Sequence, residues 1–291
     1  MVRHIRILDE AQMRVMLVEN APADVYCSNG YYLLPDQPMG KKDWKGADLI
    51  FDIDAKDLDL PCRPDHVIRI CECGHKYLRR TECPECGSKK SKAVSVPCGT
   101  CIVAAWRDAA RLCEILEKDI GLDDIGTCFS GNEGFHISVD AMHGLGAKER
   151  MELADYLMFR GADTDNLNPD AGGWGARYAA HLASGGTAAG PVGVRLDPQV
   201  TADIHRIFRF PGSINSKSGL TKMPWDGTMD GNPYSHAAML GNDIHKVLAD
   251  CPVRFRLGDV GFGPFRNEEV ELPAYAAAYL LCKGLASEIP G

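Results

Sequence analysis

The chain has 291 residues, 45% of them hydrophobic, and a formal net charge of -8. That is enough apolar material for a sizeable core, as one large domain or a core with a smaller appendage, and the acidic total argues against nonspecific nucleic-acid binding. No apolar run approaches the roughly 20 residues that span a bilayer, and MVRHIRILDEAQ is charged too early and too often for a signal peptide, so a soluble, intracellular, cytoplasmic protein is expected.

In chain order, ADVYCSNGYYLL (23–34) reads as one or two strands before the turn PDQPMGKK. ADLIFDID reads as a strand. Residues 62–98 lack helical or strand periodicity and are rich in Cys, Gly and Lys, the pattern of a metal-stapled insertion. From Ile102 to about Lys118 apolar residues recur at helical spacing: Ile102, Trp106, Ala110, Cys113 and Leu116. IGTCFSGNEGFHISVD reads as two strands around a glycine turn, and AKERMELADYLMFRG as a helix stopped by Gly161. NPDAGGWGARYAAHLASGGTAAGPVG mixes turn residues with a helix and a loop. VTADIHRIFRF reads as a helix with Thr201 as its cap, PGSINSKSGL as a loop, VRFRLGDVGFGPFRNEEVELP as short strands, and AYAAAYLLCKGLAS as a closing helix. Strands and helices alternate, so an α/β or α+β fold is expected.

Local charge departs from the total. Between Cys62 and Cys101 there are eight Lys/Arg against four Asp/Glu, and between Arg195 and Met223 five against two. Such patches serve phosphate contacts whatever the net charge.

In DLIFDID, strand alternation puts Asp52 and Asp54 on one face with Ile50, and Leu49, Phe51 and Ile53 on the other. Two carboxylates within about 7 Å repel one another. A divalent cation removes the conflict, and paired ions clamp the attacking and leaving oxygens of phosphoryl transfer. The plain alternative is a solvated strand end. SGNEGFH (130–136) sets a hydroxyl, two glycines and a His in a tight turn, where amides and side chains reach an anion; an ordinary turn with a core His136 is the alternative. In RIFRFPGSINSKSGL (206–220), Arg206 and Arg209 would share a helix face, with Ser213, Lys217 and Ser218 in the following loop. Arg suits bidentate phosphate recognition, and a solvated basic face is the alternative.

Of the twelve cysteines, six lie between Cys71 and Cys101, with Cys62 close by. Paired CxC and CxxC spacings in an intracellular enzyme point to metal rather than disulfides. CECG (Cys71, Cys73) and CPECG (Cys83, Cys86) form a knuckle pair suited to structural zinc. Cys62, His66, Cys98 and Cys101 form a second or alternative site, with exchange between the sets or a single zinc as alternatives. Cys27, Cys113, Cys128, Cys251 and Cys282 sit in apolar contexts and are expected in the core.

Taken in order, MVRH, VYCSNGYYLLPDQPMGKKDWKGADLIFDID, PCGTC ahead of a helix, FSGNEGFH, RLDPQVTADIHRIFRFPGSINSKSGL and ELPAYAAAYLLCKGLAS resemble the small catalytic subunit of archaeal-eukaryotic DNA primase. The archaeal form is the nearest, and the resemblance covers nearly the whole chain. It implies a primase-type catalytic core of mixed sheets flanked by helices, with core at 1–61 and 102–291 and a zinc-binding insertion at 62–101. It implies synthesis of short primers from nucleoside triphosphates on single-stranded DNA, Mg or Mn for catalysis, structural Zn, a primase large subunit as partner, and nucleoid association without a membrane. Asp52 and Asp54 match the family's metal pair, and Asp197, just before the VT stretch, its third carboxylate; for the competitor Asp203 a salt-bridge or capping role is preferred. Ser130, Gly131 and His136 match the triphosphate-contacting turn. Arg209 matches a basic phosphate contact, with Arg206, Ser213, Asn215, Lys217 and Lys42 as further candidates. Related archaeal chains place zinc on a Cys/His pair after the carboxylate strand and a CxxC before the helix, which here are Cys62, His66, Cys98 and Cys101.

There are departures. The turn carries Asn132 and Glu133 where members often have arginine, and Asn215 stands where many have His. These bear on triphosphate affinity and sugar preference. The chain also starts at the RH stretch, as a truncated or compact variant would. A primase-like repair or gap-filling polymerase and a noncatalytic zinc-ribbon nucleic-acid-binding module are the competing readings.

Overall fold

The computed structural model describes residues 2–140, 144–186 and 192–289. In chain order it has helix α1 (Glu10–Asn20), strands β1 (Tyr26–Ser28), β2 (Gly30–Tyr32), β3 (Trp44–Ala47), β4 (Leu49–Asp54), β5 (Val67–Cys71), β6 (Lys76–Tyr77) and β7 (Ser91–Ser95), helix α2 (Gly99–Lys118), and strands β8 (Ile125–Phe129) and β9 (Gly134–Val139). Helices α3 (Ala147–Leu157), α4 (Gly173–Ala183) and α5 (Pro198–Ala202) follow, then strands β10 (Ile207–Arg209), β11 (Ile214–Asn215), β12 (Leu220–Thr221) and β13 (Met223–Pro224). Helix α6 (Pro233–Ala237), strands β14 (Ile244–Cys251), β15 (Phe255–Leu257), β16 (Val260–Phe262) and β17 (Phe265–Pro273), helix α7 (Ala274–Lys283) and β18 (Ala286–Glu288) complete it. The chain forms two compact units, one of Met1–Ile53, Arg107–Thr127 and Phe135–Phe210, the other of Asp54–Trp106, Cys128–Gly134 and Pro211–Gly291. The division falls within β4, β8 and β9. No helix among the described residues is long and apolar enough to cross a membrane.

In the first unit Leu49, Phe51 and Ile53 are fully buried while Ile50 and Asp52 are half-buried, the alternation that strand geometry demands. Strands β1, β2 and β3 precede this strand in sequence and form short antiparallel pairs, β1–β10 and β2–β3, with Tyr26 opposite Arg209 and Gly30 opposite Ala47. Arg150 on α3 is fully buried, and its guanidinium donates to the carbonyls of Ala47, Asp48 and Leu145 at 2.5, 2.8 and 2.9 Å. It thereby fixes the chain just before β4. Arg150→Met strands one buried and two partly buried acceptors, so unfolding free energy is expected to fall by about 3 kcal/mol or more at 1–3 kcal/mol per unsatisfied group. Urea denaturation checks this, and a change below about 1 kcal/mol would contradict it.

In the second unit β6-β5-β7 form a three-stranded sheet and β17-β14-β18 another, on which α7 packs with Ala276, Ala277 and Leu280 buried. Lys76 Nζ to Asp250 Oδ2 at 2.7 Å joins the first sheet to β14, and Tyr279 donates its hydroxyl to the Ser95 carbonyl at 3.1 Å, joining β7 to α7. Residues 62–98 are thus more regular than their sequence pattern implies.

The stretch VTADIHRIFRF is not one helix. Asp197 and Pro198 start α5 as N-cap and first residue, the helix ends at Ala202, and Ile207–Arg209 pairs with β1. Thr201 is a buried residue of that helix and not its cap, and Arg206 and Arg209 share no helix face. The strand pairing outweighs a helical pattern only eleven residues long. Helix α3 ends at Leu157, before Gly161, because Phe159 already turns left-handed at φ 58. PGSINSKSGL is a hairpin, β11 against β12. The buried stripe of α2 runs through Ile102, Ala105, Ala109, Leu112 and Leu116, one residue out of phase with the expected one in its middle turns. Of the five cysteines assigned to the core, Cys251 is buried and Cys27, Cys113, Cys128 and Cys282 are partly exposed. Part of the loop expected after α4 falls on 187–191, outside the described residues.

Candidate active site

Asp52 and Asp54 leave the same face of β4, each side chain about one fifth exposed, at 20% and 17%. In the first unit His136, the third residue of β9, sets its Nε2 3.6 Å from Asp52 Oδ1, its ring edge-on to Phe208. The Asp197 amide donates to the Asp52 carbonyl at 3.0 Å, which brings a residue distant in sequence alongside the strand. Asp197 Oδ1 accepts from the amides of Gln199 and Val200 at 2.9 and 3.4 Å, so this side chain is the N-cap of α5. Asp203 lies at the other end of α5, where its Oδ1 accepts from the His205 amide at 3.0 Å and its Oδ2 faces Arg206 at 4.0 Å.

The basic residues of this unit differ in availability. Arg209 is buried on β10, paired with Asp24, donating to the Tyr26 hydroxyl at 3.0 Å and lying over the Tyr26 ring. Arg206 is exposed beside Asp203. Lys42 is buried, with its amine on the Pro35 carbonyl and 4.7 Å over the Tyr32 ring. Sequence reasoning missed Asp24 and Tyr26, which no local motif distinguishes.

In the second unit two of the quoted segments meet. The Ser130 amide bonds the Gly134 carbonyl at 2.9 Å, closing the turn. Gly131 is left-handed at φ 79, and a Cβ there would lie 2.9 Å from the Leu220 carbonyl oxygen, so glycine is required. The β11–β12 hairpin seats on this turn: Asn215 Nδ2 donates to the Ser130 carbonyl at 3.4 Å, and Ser218 Oγ donates to the Gly131 carbonyl. The Asn215 side chain also accepts from the Lys217 amide at 3.0 Å, shaping the hairpin end, where Lys217 is exposed and Ser213 half-buried. Ser130 is 7% exposed, and its hydroxyl has no hydrogen-bond partner among the described residues. The Glu133 carbonyl accepts from the Ala55 amide at 3.0 Å, which ties the turn to the residue after Asp54. Asp54 itself is paired with Lys56.

Two cysteine clusters lie in the same unit. Cys62, His66, Cys98 and Cys101 bring their ligand atoms within 4.8 Å of one another, and so do Cys71, Cys73, Cys83 and Cys86. His66 Nε2 is 3.2 Å from Cys101 Sγ, and Cys62 and Cys101 sulfurs are 3.5 Å apart; in the other set Cys71–Cys86 and Cys73–Cys83 are at 3.5 and 3.7 Å. Sulfurs bonded at about 2.3 Å to one tetrahedral zinc lie roughly 3.8 Å apart, so both sets fit that ion. Burial pushes the Cys98 thiol up, but His66 and the Cys101 amide pull it further down, to about 6. At Cys83 burial is likewise outweighed, by the amides of Cys86 and Glu85, and the thiol again falls to about 6. A ready thiolate in each set suits metal ligation.

Residues 98–226 match the family model described as DNA primase small subunit, a stretch from the second cysteine pair of the first cluster past the β11–β12 hairpin. The chain is 44% identical to the DNA primase small subunit PriS of Cenarchaeum symbiosum, over 99% of this chain and 88% of that one. It is 42% identical to PriS of Nitrosopumilus maritimus with the same coverage, and 33% identical to PriS of Pyrobaculum calidifontis over 96% of this chain and 86% of the relative. The chain therefore belongs to the DNA primase small-subunit family, whose members are primer-synthesising nucleotidyltransferases.

Proposed function

We propose that Asp52, Asp54 and Asp197 hold Mg or Mn and that the chain makes primers on single-stranded DNA from nucleoside triphosphates, working with a primase large subunit. The observation that supports this reading most is the bond from the Asp197 amide to the Asp52 carbonyl, which sets the backbone of Asp197 beside that of Asp52. Hard oxygens on one strand face are the donor set these ions prefer, and the exposed Lys56 partner of Asp54 yields at little cost, since such pairs are worth about 0–1 kcal/mol. When bound, the ions supply Lewis-acid stabilisation of the attacking 3′-hydroxyl and the leaving pyrophosphate. His136 orients the Asp52 carboxylate. Ser130 donates its hydroxyl to the triphosphate, with Gly131 letting the backbone approach. Asn215 holds the turn in shape, and Lys217 adds charge at the hairpin end. Arg209, already paired with Asp24, serves to anchor β10, and Arg206, Ser213 and Lys42 have supporting parts. Both cysteine clusters hold structural zinc.

The test is synthesis from labelled ATP on unprimed single-stranded DNA, with Asp52→Ala alongside. Products that depend on Asp52 support the reading; extension of supplied primers alone would favour a gap-filling polymerase, and no incorporation a noncatalytic module. Ser130→Ala removes a buried hydroxyl that has no partner, so the melting temperature is expected to hold or rise. The KM for nucleotide is expected to rise about tenfold, the worth of one hydrogen bond to a charged group. Unchanged KM with a lowered melting temperature would make Ser130 structural.

A further inference from the structure

Lys283 ends α7 and is only 6% exposed. Its amine donates to Asn132 Oδ1 at 2.7 Å and lies 5.5 Å from the centre of the Tyr279 ring. No carboxylate lies at ion-pair distance from it among the described residues. A helix C-terminus favours a cation, but a desolvated ammonium facing a neutral amide is costly.

The turn it reaches is the one that holds the unpartnered Ser130 hydroxyl. Two buried donor groups thus belong to one turn, Ser130 Oγ with no partner among the described residues and Lys283 Nζ on one neutral acceptor. The carboxylate of that turn, Glu133, faces Arg63 at 3.6 Å, and Arg63 also donates to the Ala55 carbonyl at 3.0 Å. Arg63 thereby offsets the one charge in the turn that would repel an anion. Donors in excess and a compensated carboxylate describe a site for a phosphate group.

We propose that Lys283 is a nucleotide-binding residue, its ammonium the counter-charge for a phosphate group of the incoming nucleoside triphosphate held at the Ser130–Gly134 turn. This rests on the proposed function and names the residue that takes the place of a basic group within the turn. Burial pushes the amine's pKa down, opposed by Glu133 and Cys282 and reinforced by Lys92 and Lys217. Bound phosphate restores a partner to the charge.

The test compares wild type, Lys283→Met, Lys283→Arg and Asn132→Ala in the full chain. Calorimetric titrations use inorganic tripolyphosphate, ATP and a single-stranded oligonucleotide, beside thermal denaturation and primer-synthesis kinetics. Lys283→Met is expected to weaken tripolyphosphate and ATP binding about tenfold or more, as for loss of a charged hydrogen bond. Its ligand-free melting temperature should hold or rise, and oligonucleotide affinity should stay at wild type. Lys283→Arg should recover part of the affinity, and Asn132→Ala, which removes the amide that positions the amine, should weaken it in the same sense. Tripolyphosphate binding within twofold of wild type in Lys283→Met would overturn the proposal, as would a loss confined to the oligonucleotide. If Lys283→Met fails to fold, wild-type tripolyphosphate affinity in Asn132→Ala overturns it. Asp52-dependent primer synthesis in the wild type would leave the proposed function standing in each of those cases; absence of that synthesis removes both.

Discussion

Asp52→Ala and Asp54→Ala are each expected to lower primer synthesis by on the order of 10³-fold or more, because in the proposed site each would remove a ligand of ions that carry several kcal/mol of transition-state stabilisation. Neither is expected to lower the melting temperature by more than a few degrees. Both side chains project from β4 away from its buried face, and deleting either removes like-charge repulsion. The contacts released include a His136 nitrogen 3.6 Å away in one case and the exposed Lys56 amine in the other. Asp197 differs because, in the proposed site, its side chain would hold an ion as well as cap α5. Asp197→Ala should lose both synthesis and the N-cap of α5, a cap being worth about 0.5–2 kcal/mol. Asp197→Asn should keep the cap, since Asn and Asp cap equally well, and still lose synthesis. Asp203→Ala should retain most synthesis, because Asp203 stands at the far end of α5 beside Arg206. Incorporation of labelled ATP on unprimed template, with thermal melts of each variant, measures all of these. Near-normal synthesis by Asp52→Ala, or by Asp197→Asn, would refute the carboxylate assignment it concerns.

What could be read from the sequence follows the range of the interactions involved. Strand β4 was legible because alternation is a period-2 signal within six residues, and β8, β9 and α7 for similar reasons. The phase of α2 was not, since Ala105 and Ala109 carry too little apolar area to stand out beside Trp106. VTADIHRIFRF was misread because its second half answers to β1, some 180 residues earlier, and long-range pairing leaves no local trace. The glycine turn and the hairpin were each visible as motifs, but not the seating of Ser218 on Gly131. Arg209 looked like a free phosphate contact because nothing local announces Asp24 as its partner. Lys283 reads as an ordinary last-turn lysine ahead of the capping Gly284, and only its burial against Asn132 marks it.

Loss of metal from the first cysteine cluster should do more damage than loss from the second. Structural zinc contributes an apparent 10–16 kcal/mol in zinc-finger peptides, comparable with the whole stability of a typical domain, about 5–15 kcal/mol. In the first cluster His66 and Cys101 are buried, and Cys98 accepts the Ile102 amide at 3.1 Å, at the start of α2. Cys62 directly precedes Arg63, which holds both Glu133 and the Ala55 carbonyl. Cys101→Ser should therefore release one zinc, lower the melting temperature by ten degrees or more at about 2–4 °C per kcal/mol, and raise the KM for nucleotide by loosening the Ser130 turn. In the second cluster Cys73 and Cys86 are exposed, and the knuckles close on themselves through the Gly74 and Gly87 amides to the carbonyls of Cys71 and Cys83, both at 2.9 Å. Cys73→Ser should release one zinc and fray the β5–β6 hairpin, with synthesis largely kept. Elemental analysis should give two zinc ions per wild-type chain and one in each variant. A wild-type content of one would mean that the two sets do not act as separate sites, and equal stability of the two variants would mean that burial does not set the cost of losing the ion.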